Sequence, residues 1–269
     1  MDHSELICNR RSVRTFDGKS IEPEVLQDIL GYAQKAENPY NQVIEWKLLN
    51  TGEDGVSSAV IVGTDTFIAG KMMRAAHAEE AFGYSFEKIV LYAQSLGIGT
   101  TWIGGTMTRA AFEKAVQLGE NEVMPCVSPL GYPAEKMSVR ETMMRAGIKA
   151  DTRFGFAELF FDGSFDKPLA PENAGRIKQA LELVQRSPSA VNRQPWRIVV
   201  DDNKVHFYEK RSKGYVDKTG WDMQKIDIGI AMCHFVCGLE EQNITPAFTV
   251  NDPGIAHGSD TEYITTYTI

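Results

Sequence analysis

An unequal internal repeat constrains the fold of this 269-residue chain more than any other feature. Three landmarks of the first half recur in the same order about 145 to 150 residues later. They are Phe-Asp-Gly at 16–18 and 161–163, a proline turn at 38–39 and 187–188, and a tryptophan-led run at 46–49 and 196–199. Chance recurrence of helix–turn–strand units is the alternative. We predict an α+β fold of two tandem halves, 1–153 and 154–269, that form an intrachain pseudo-dimer.

Hydrophobic periodicity predicts the elements of each half. In the first half we expect a short N-terminal helix, a helix starting at Pro23, strands at 46–49, 58–63 and 124–130, and a buried helix at 76–96. In the second half we expect a helix through Ile177 and Val184, a strand at 196–200, an apolar helix at 226–239 and a final strand at 263–269.

Composition and charge narrow the function classes. The net charge of −8 disfavours nucleic-acid binding. No apolar run is long enough to span a bilayer, and the N-terminus has no signal-peptide pattern, so we expect a cytoplasmic protein without a membrane partner. Cations nevertheless cluster at Arg10, Arg11 and Arg14, and again at Arg140, Arg145, Lys149 and Arg153. Such clusters in an acidic chain indicate a local anion site, or else solvated surface.

The two halves differ in their polar motifs. The segment Arg10-Arg11-Ser12-Val13-Arg14 has no cationic counterpart at 155–159 in the second half. The turn Pro188-Ser189-Ala190-Val191-Asn192-Arg193-Gln194 has a counterpart at 39–44 that is one residue shorter and lacks the serine. If one site needs both motifs, the chain retains one complete site and has lost the other.

These motifs resemble those of the FMN-dependent nitroreductase family. The Arg-Arg-Ser-x-Arg segment at 10–14 and the turn-strand at 188–196 match that family. So do the run Leu-Gly-Ile-Gly-Thr-Thr-Trp-Ile-Gly-Gly at 96–105 and Pro-Leu-Gly-Tyr-Pro at 129–133. In the ordinary family the proline turn follows soon after the arginine motif, whereas here it lies in the second half. The chain therefore resembles the single-chain, duplicated branch called the putative TM nitroreductases.

The resemblance implies one FMN between the halves. Arg10 and Ser12 would contact its phosphate and ribityl chain, with Arg153 as a second cation and Arg11 beside them or at the surface. Arginine suits phosphate because its guanidinium can donate two hydrogen bonds to two oxygens. Arg14 matches the position that faces the N1 side of the ring, where a cation stabilises the reduced flavin. Lys71 and Arg74 lie in a region that approaches the ring in relatives, or form a surface pair.

The turn and a glycine-containing loop would complete the flavin site. Pro188, Ser189, Ala190 and Asn192 would lie against the ring, with Gln194 orienting the turn. The backbone of Ile103, Gly104 and Gly105 would approach flavin N5, or form a plain loop. We expect Trp196 to belong to the core.

The implied reaction is a ping-pong hydride transfer. NADH or NADPH reduces flavin N5, and an electron-poor small molecule such as a nitroaromatic or quinone then accepts the electrons. The cofactor carries the chemistry, so no catalytic side chain or metal is expected. A non-enzymatic FMN-binding, storage or sensor protein is the alternative, and a flavin-free scaffold is a third possibility. Because the pseudo-dimer is intrachain, the chain can be a monomer, and a dimer of pseudo-dimers is the alternative.

The cysteines favour a reducing environment. Four scattered cysteines do not form a disulfide framework. Cys233 and Cys237 flank His234, a spacing compatible with metal or thiol chemistry. They lie in an apolar helical run, so we expect them to be small buried hydrophobes. No Gly-x-Gly-x-x-Gly motif follows a strand, which argues against a Rossmann dehydrogenase.

Overall fold

The computed structural model describes residues 2–216 and 221–269, and their contacts form two compact units. One unit is Asn9–Lys149, and the other combines Asp2–Cys8 with Ala150–Ile269. Most of the N-terminal helix α1 (His3–Asn9) thus belongs with the second unit. The division falls between 149 and 150, so Arg153 lies in the second unit and not in the half to which it was assigned from the sequence.

The first unit is built on a four-stranded antiparallel sheet. Its strands are β1 (Ile44–Asn50), β2 (Thr66–Met73), β3 (Glu122–Val123) and β4 (Val127–Leu130). β2 is central because it pairs with the other three. The helices are α2 (Pro23–Ala33), α3 (Thr51–Asp54), α4 (Ala78–Ser95), α5 (Arg109–Ala115) and α6 (Val139–Gly147).

Local sequence explains several of these boundaries. Pro23 suits the first turn of α2, where a missing N–H costs nothing. The side chain of Ser138 caps α6 by accepting a hydrogen bond from the backbone N–H of Glu141. Gly70 on β2 faces Trp46 on β1, and a Cβ there would lie 2.4 Å from the indole ring. Glycine at this position therefore makes room for the tryptophan.

One predicted strand of the first unit is wrong. Residues 58–63 make isolated bridges at Ser58 and Val62 but no strand, and the second strand is Thr66–Met73. Gly63 adopts a φ of 85° that turns the chain, and a Cβ there would lie 2.2 Å from the backbone oxygen of Phe16. The apolar run was misinterpreted because a turn buries Val60 as effectively as a strand would.

The second unit is built around a five-stranded sheet of order β5-β6-β7-β9-β8. The strands are β5 (Phe160–Asp162), β6 (Trp196–Asp201), β7 (Lys204–Lys210), β8 (Ala247–Thr249) and β9 (Thr261–Thr268). The helices are α7 (Phe156–Leu159), α8 (Lys178–Arg186) and α9 (Met223–Glu240), with 3-10 turns at Pro171–Asn173, Gly175–Ile177 and Ala190–Asn192. The pair β5–β6 is parallel and the others are antiparallel.

The internal repeat is visible in the topology of each unit. A helix leads into a proline turn and a strand, an antiparallel partner strand follows, and a long buried helix comes next. α4 and α9 occupy equivalent places, and each has 18 residues. The sequence analysis did not predict β7. The repeat accounts for this strand, because β7 follows β6 in the second unit as β2 follows β1 in the first. In the described part of the chain, no helix has both the length and the apolar content required to cross a membrane.

Candidate functional site

The arginine motif lies in an extended segment that is bonded into the first unit. Val13 N–H donates to the carbonyl oxygen of Thr100 at 2.8 Å, and Ser12 forms a parallel bridge with Thr100. Phe16 N–H donates to the carbonyl oxygen of Val62, also at 2.8 Å. The fold therefore places the arginine motif directly beside Thr100, within the Leu96–Gly105 run.

Arg10 is the most unusual side chain of this region. Its side chain is 5% exposed, and its Nε lies 3.8 Å from Oε1 of the fully buried Glu87 on α4. The buried Nε and Nη1 atoms have no hydrogen-bond partner. Burial holds the pKa of Arg10 below its ordinary value, Glu87 opposes this change, and the charge of Arg145 adds to it. A buried guanidinium with unused donors fits an anionic acceptor.

Arg14 belongs to the same electrostatic cluster. Burial lowers the pKa of Arg14, Glu141 opposes the decrease, and Arg145 again contributes to it. Arg145 comes from α6, far along the chain from the motif. Its membership in a basic cluster was visible in the sequence, but no role was assigned to it there. Its nearness to both Arg10 and Arg14 appears only after folding.

Arg11 completes the cluster and is partly neutralised. Its Nη1 lies 3.4 Å from Oε1 of Glu141, which is buried on α6. Arg11 also lines a cavity of about 220 Å³ together with Asn9 and residues 97–100. The cluster has an excess of two positive charges, since it comprises four arginines and two carboxylates: Arg10, Arg11, Arg14, Arg145, Glu87 and Glu141. That excess matches a dianionic phosphate group.

Hydrogen bonds fix the loop at 103–105 in position, and the space beside Gly105 is open. Ile103 and Val127 exchange two backbone hydrogen bonds of 2.9 Å, which anchor the loop to β4. Arg109 donates to the carbonyl oxygens of Gly104 at 2.7 Å and Met124 at 2.9 Å. A Cβ at Gly105 would meet nothing within 4 Å. Packing within the chain therefore does not require glycine there, and a bound group has room to approach the backbone.

Lys71 and Arg74 are placed less favourably for ligand binding. Lys71 lies on β2. Its ammonium group has three acceptors, all within the first unit. They are Oε2 of Glu122 at 2.9 Å, the carbonyl oxygen of Gln117 at 3.2 Å and Oε2 of Glu45 at 3.4 Å. The two carboxylates raise the pKa of Lys71, and the hydrogen bond to Glu122 contributes most. Arg74 is exposed just beyond the end of β2. The ion pairs with Glu122 and Glu45 thus give Lys71 a structural role within the first unit.

The proline turn of the second unit has a strained backbone. Val191, Asn192 and Gln194 have φ angles of 51°, 56° and 50°, in the left-handed region. This conformation is unfavourable for a β-branched residue, and Val191 is also 56% exposed. The backbone N–H of Ala190 donates to the carboxyl group of Asp227 on α9 at 3.0 Å. Strain held by the surrounding structure is typical of functional sites.

The side chains of this turn that are predicted to contact a ligand also make hydrogen bonds that hold the turn together. Oδ1 of Asn192 accepts from Arg153 Nη1 at 3.4 Å, and its Nδ2 donates to the carbonyl oxygen of Thr152 at 3.1 Å. Ser189 Oγ accepts from the N–H of Gln194 at 2.9 Å. Both ends of the Asn192 amide thus have partners within the chain, and its predicted contact with a flavin stays a prediction.

Arg153 and Gln194 have the same structural task. Arg153 donates to three backbone carbonyls, those of Ala150, Thr152 and Arg186, in addition to Asn192. Oε1 of Gln194 accepts from the N–H of Phe154 at 2.9 Å, which agrees with its predicted role in orienting the turn. The predicted role of Arg153 as a second phosphate cation stays a prediction. Pro188 and Ala190 are half-buried in the turn.

Asp227 is a turn-positioning residue that sequence reasoning missed. It lies in the apolar run Ile226-Asp227-Ile228 and is buried. Burial raises its pKa well above the ordinary value, the bond from Ala190 opposes this, and Asp222 and Glu209 add to it. The sequence does offer a sign of this role, because Asp227 is a single carboxyl group in an otherwise apolar helical run. A buried carboxylate needs a specific partner.

The core assignments of this unit are confirmed. Trp196 and Cys233 are fully buried, and Cys237 is 6% exposed. Ser187 Oγ lies 2.9 Å from Nδ1 of the buried His234, which fixes the start of the turn to α9.

Comparison with known proteins identifies the fold. A solved structure of a putative nitroreductase from Thermotoga maritima is similar with a TM-score of 0.63 at 20% sequence identity. The match covers 100% of this chain and 94% of that chain. It establishes the α+β nitroreductase-like fold for the chain.

Shorter structures match about half of the chain. A putative NADH dehydrogenase/NAD(P)H nitroreductase from Bacteroides thetaiotaomicron has 22% identity and a TM-score of 0.42, covering 51% of this chain and 89% of its own. An FMN-dependent nitroreductase from Clostridium difficile has 18% identity and a TM-score of 0.41, covering 49% and 88%. No curated protein matches the chain. The family described as putative TM nitroreductase matches residues 2–239. The chain therefore belongs to the putative TM nitroreductase family.

Proposed function

We propose that this protein is an FMN-dependent oxidoreductase of nitroreductase type, with the phosphate of FMN bound by the arginine cluster of the first unit. The observation that carries the proposal is the buried Arg10 guanidinium, whose Nε and Nη1 have no hydrogen-bond partner. Burying an arginine in this way is costly unless a ligand supplies the acceptors. A phosphate group offers acceptors in the geometry that a guanidinium matches.

The charges of the cluster support a dianionic ligand. Arg10 and Arg14 are both buried enough to lower their pKa values, and both face the charge of Arg145. Repulsion among these cations is relieved when an anion binds between them. We assign Arg10 and Arg145 to the phosphate, and we keep Arg14 for the ring, where family resemblance places it.

When bound, FMN would accept hydride from NADH or NADPH and pass electrons to an electron-poor small molecule such as a quinone or nitroaromatic. The chain itself has to bind the cofactor and leave one side of it accessible. The cluster supplies the binding charge, and Arg109 keeps the loop at 103–105 rigid. Open space at Gly105 leaves room for the ring edge. The prediction that the Pro188–Asn192 turn contributes to the same flavin stays a prediction.

The experiment is a flavin assay on the purified full-length chain. Bound flavin is released, identified and counted per chain, and the FMN-loaded protein is mixed without oxygen with NADH or NADPH. We expect the flavin absorbance to bleach and to return on addition of a quinone or nitroaromatic. FMN that binds but never bleaches would support a binding or storage protein in place of an enzyme. A chain that takes up no FMN would refute the proposal.

A further inference from the structure

A second set of chemically reactive side chains lies in the second unit and plays no part in the proposed flavin site. His3 is on α1, and Cys237 and Glu240 are on α9. One donor atom of each lies within 4.8 Å of the other two. Nε2 of His3 is 3.9 Å from Oε2 of Glu240. The three residues thus converge on one point.

Their chemistry is that of a transition-metal site. Imidazole, thiolate and carboxylate are the three ligand types that zinc uses in proteins, at about 2.0 to 2.3 Å from the ion. Two ligands of a tetrahedral ion are then separated by roughly 3.3 to 3.8 Å. The observed separation of His3 and Glu240 is close to this range, so small side-chain movements suffice. Cys237 and Glu240 are spaced i, i+3, which puts both on one face of α9.

The surroundings hold the two helices in place and leave an entrance. Ser4 on α1 donates its N–H to Oε1 of Glu241 at 2.7 Å, and Gln179 Nε2 donates to Oε2 of the same carboxylate at 2.9 Å. The Cys237 side is buried, whereas the side chains of His3 and Glu240 are 23% and 58% exposed. An ion can therefore enter from solvent on the carboxylate side and reach the thiol.

We propose that His3, Cys237 and Glu240 bind a divalent transition-metal ion, with Zn²⁺ as the best-suited occupant. Three protein ligands leave a fourth position for water or for the thiol of Cys233, which lies one helical turn before Cys237. The bound ion joins α1 to α9 and so fixes the N-terminal helix on the second unit. This site is separate from the arginine cluster, and its occupation does not depend on FMN.

A further observation favours a metal over a plain buried thiol. Nδ1 of His3 is buried without a hydrogen-bond partner. A cysteine that served as a hydrophobe alone would need neither His3 nor Glu240 beside it.

The test uses the full-length, metal-stripped protein with any purification tag at the C-terminus. Zn²⁺ is titrated in competition with a chromophoric chelator, and Co²⁺ is added as a spectroscopic probe in a difference measurement that cancels flavin absorbance. We expect one saturable site per chain and a sulfur-to-cobalt charge-transfer band. Absence of saturable binding would overturn the proposal.

Variants separate the site from adventitious binding. Glu240→Gln is an exposed change that should preserve the fold and weaken Zn²⁺ binding by roughly tenfold or more. Cys237→Ser should abolish the charge-transfer band. Glu172→Gln, on the exposed 3-10 turn, and Cys126→Ser, in the first unit, are the matched controls and should bind like the unmodified protein. Equal affinity in Glu240→Gln and Cys237→Ser would refute the site. Cys233→Ser reports whether the second thiol is a ligand.

Discussion

Arg10 shows how the burial and partners of one residue can point to a binding site. Its guanidinium is nearly inaccessible, and the carboxylate that faces it, Glu87, lies at 3.8 Å, too far for a hydrogen bond. Glu87 itself accepts a hydrogen bond from the indole N–H of Trp102 at 3.1 Å. The Arg10–Glu87 ion pair therefore leaves part of the positive charge of Arg10 uncompensated. It also leaves two N–H donors of Arg10 available to another group.

The first prediction concerns Arg10→Ala. Removing a charged hydrogen-bond donor should weaken FMN binding by about 1.5–3 kcal/mol, or roughly 10- to 150-fold. Arg10→Lys keeps the positive charge but loses the planar guanidinium that can donate two parallel hydrogen bonds. Its affinity for FMN should therefore lie between those of the unmodified protein and Arg10→Ala. Fluorescence titration of the flavin-free protein with FMN measures these changes. Arg176→Ala, an exposed arginine of the second unit, is the control. Unchanged affinity in Arg10→Ala would remove Arg10 from the site.

The second prediction concerns Glu209, which is fully buried on β7. Burial, together with Asp222, raises its pKa to about 7 from an ordinary 4.5. Because the folded pKa is the higher one, the contribution to stability is complete below pH 4.5 and is lost as pH rises through about 7. Glu209→Gln should therefore unfold at higher urea than the unmodified protein at pH 8, with a smaller advantage at pH 5.

The measurement for Glu209 is the difference in unfolding free energy between the two proteins across this pH range. Glu53→Gln, on the exposed helix α3, serves as the control and should leave the pH dependence unchanged. A difference that is constant between pH 5 and pH 8 would mean that Glu209 titrates in the folded protein as it does in the unfolded chain.

At the scale of elements, helix packing explains a glycine that propensity alone would disfavour. Gly238 lies in α9, where a Cβ would be 2.7 Å from Cα of Ala180 on α8. The two helices can approach this closely because the glycine has no side chain. Gly31 in α2 is different, since a Cβ there would meet nothing within 4 Å.

The third prediction compares Ala substitutions at these two glycines. Gly31→Ala should stabilise the protein by up to about 1 kcal/mol, because alanine is the better helix former. Gly238→Ala gains the same helix propensity, but its new Cβ would clash with the backbone of α8 and push the two helices apart. The substitution should therefore destabilise the protein by roughly 1–3 kcal/mol. Urea unfolding followed by circular dichroism measures both. If both variants gained stability, α8 and α9 would be more loosely packed than the structure shows.

At the scale of the whole molecule, the repeat is conserved in topology but not in chemistry. Each unit has a sheet, a buried central helix and a proline turn, yet the arginine cluster belongs to the first unit and the strained turn to the second. A homodimer of identical chains would carry every motif twice. A single chain that contains both copies can keep each motif once.

The fourth prediction follows from this asymmetry. We expect one FMN per chain, measured by released flavin against protein concentration. Asn192→Ala tests the sequence-based prediction that the Pro188–Asn192 turn contributes to the flavin site: it should weaken FMN binding, because the loss of its bonds to Arg153 and Thr152 releases the turn. Val250→Ala, an exposed change elsewhere in the second unit, is the control. Two flavins per chain would show that the second site is not lost. Unchanged affinity in Asn192→Ala would separate the turn from the flavin.

The sequence by itself determined the repeat, most of the elements, the family resemblance and the burial of Trp196, Cys233 and Cys237. These properties are recorded locally, in hydrophobic periodicity and short motifs. The folded chain alone decided which partners the polar residues take. Lys71 is matched by Glu122, Asn192 by Arg153, and Arg145 joins the arginine motif. Partner choice depends on distances between residues that are remote in sequence, and a local pattern carries no information about those distances.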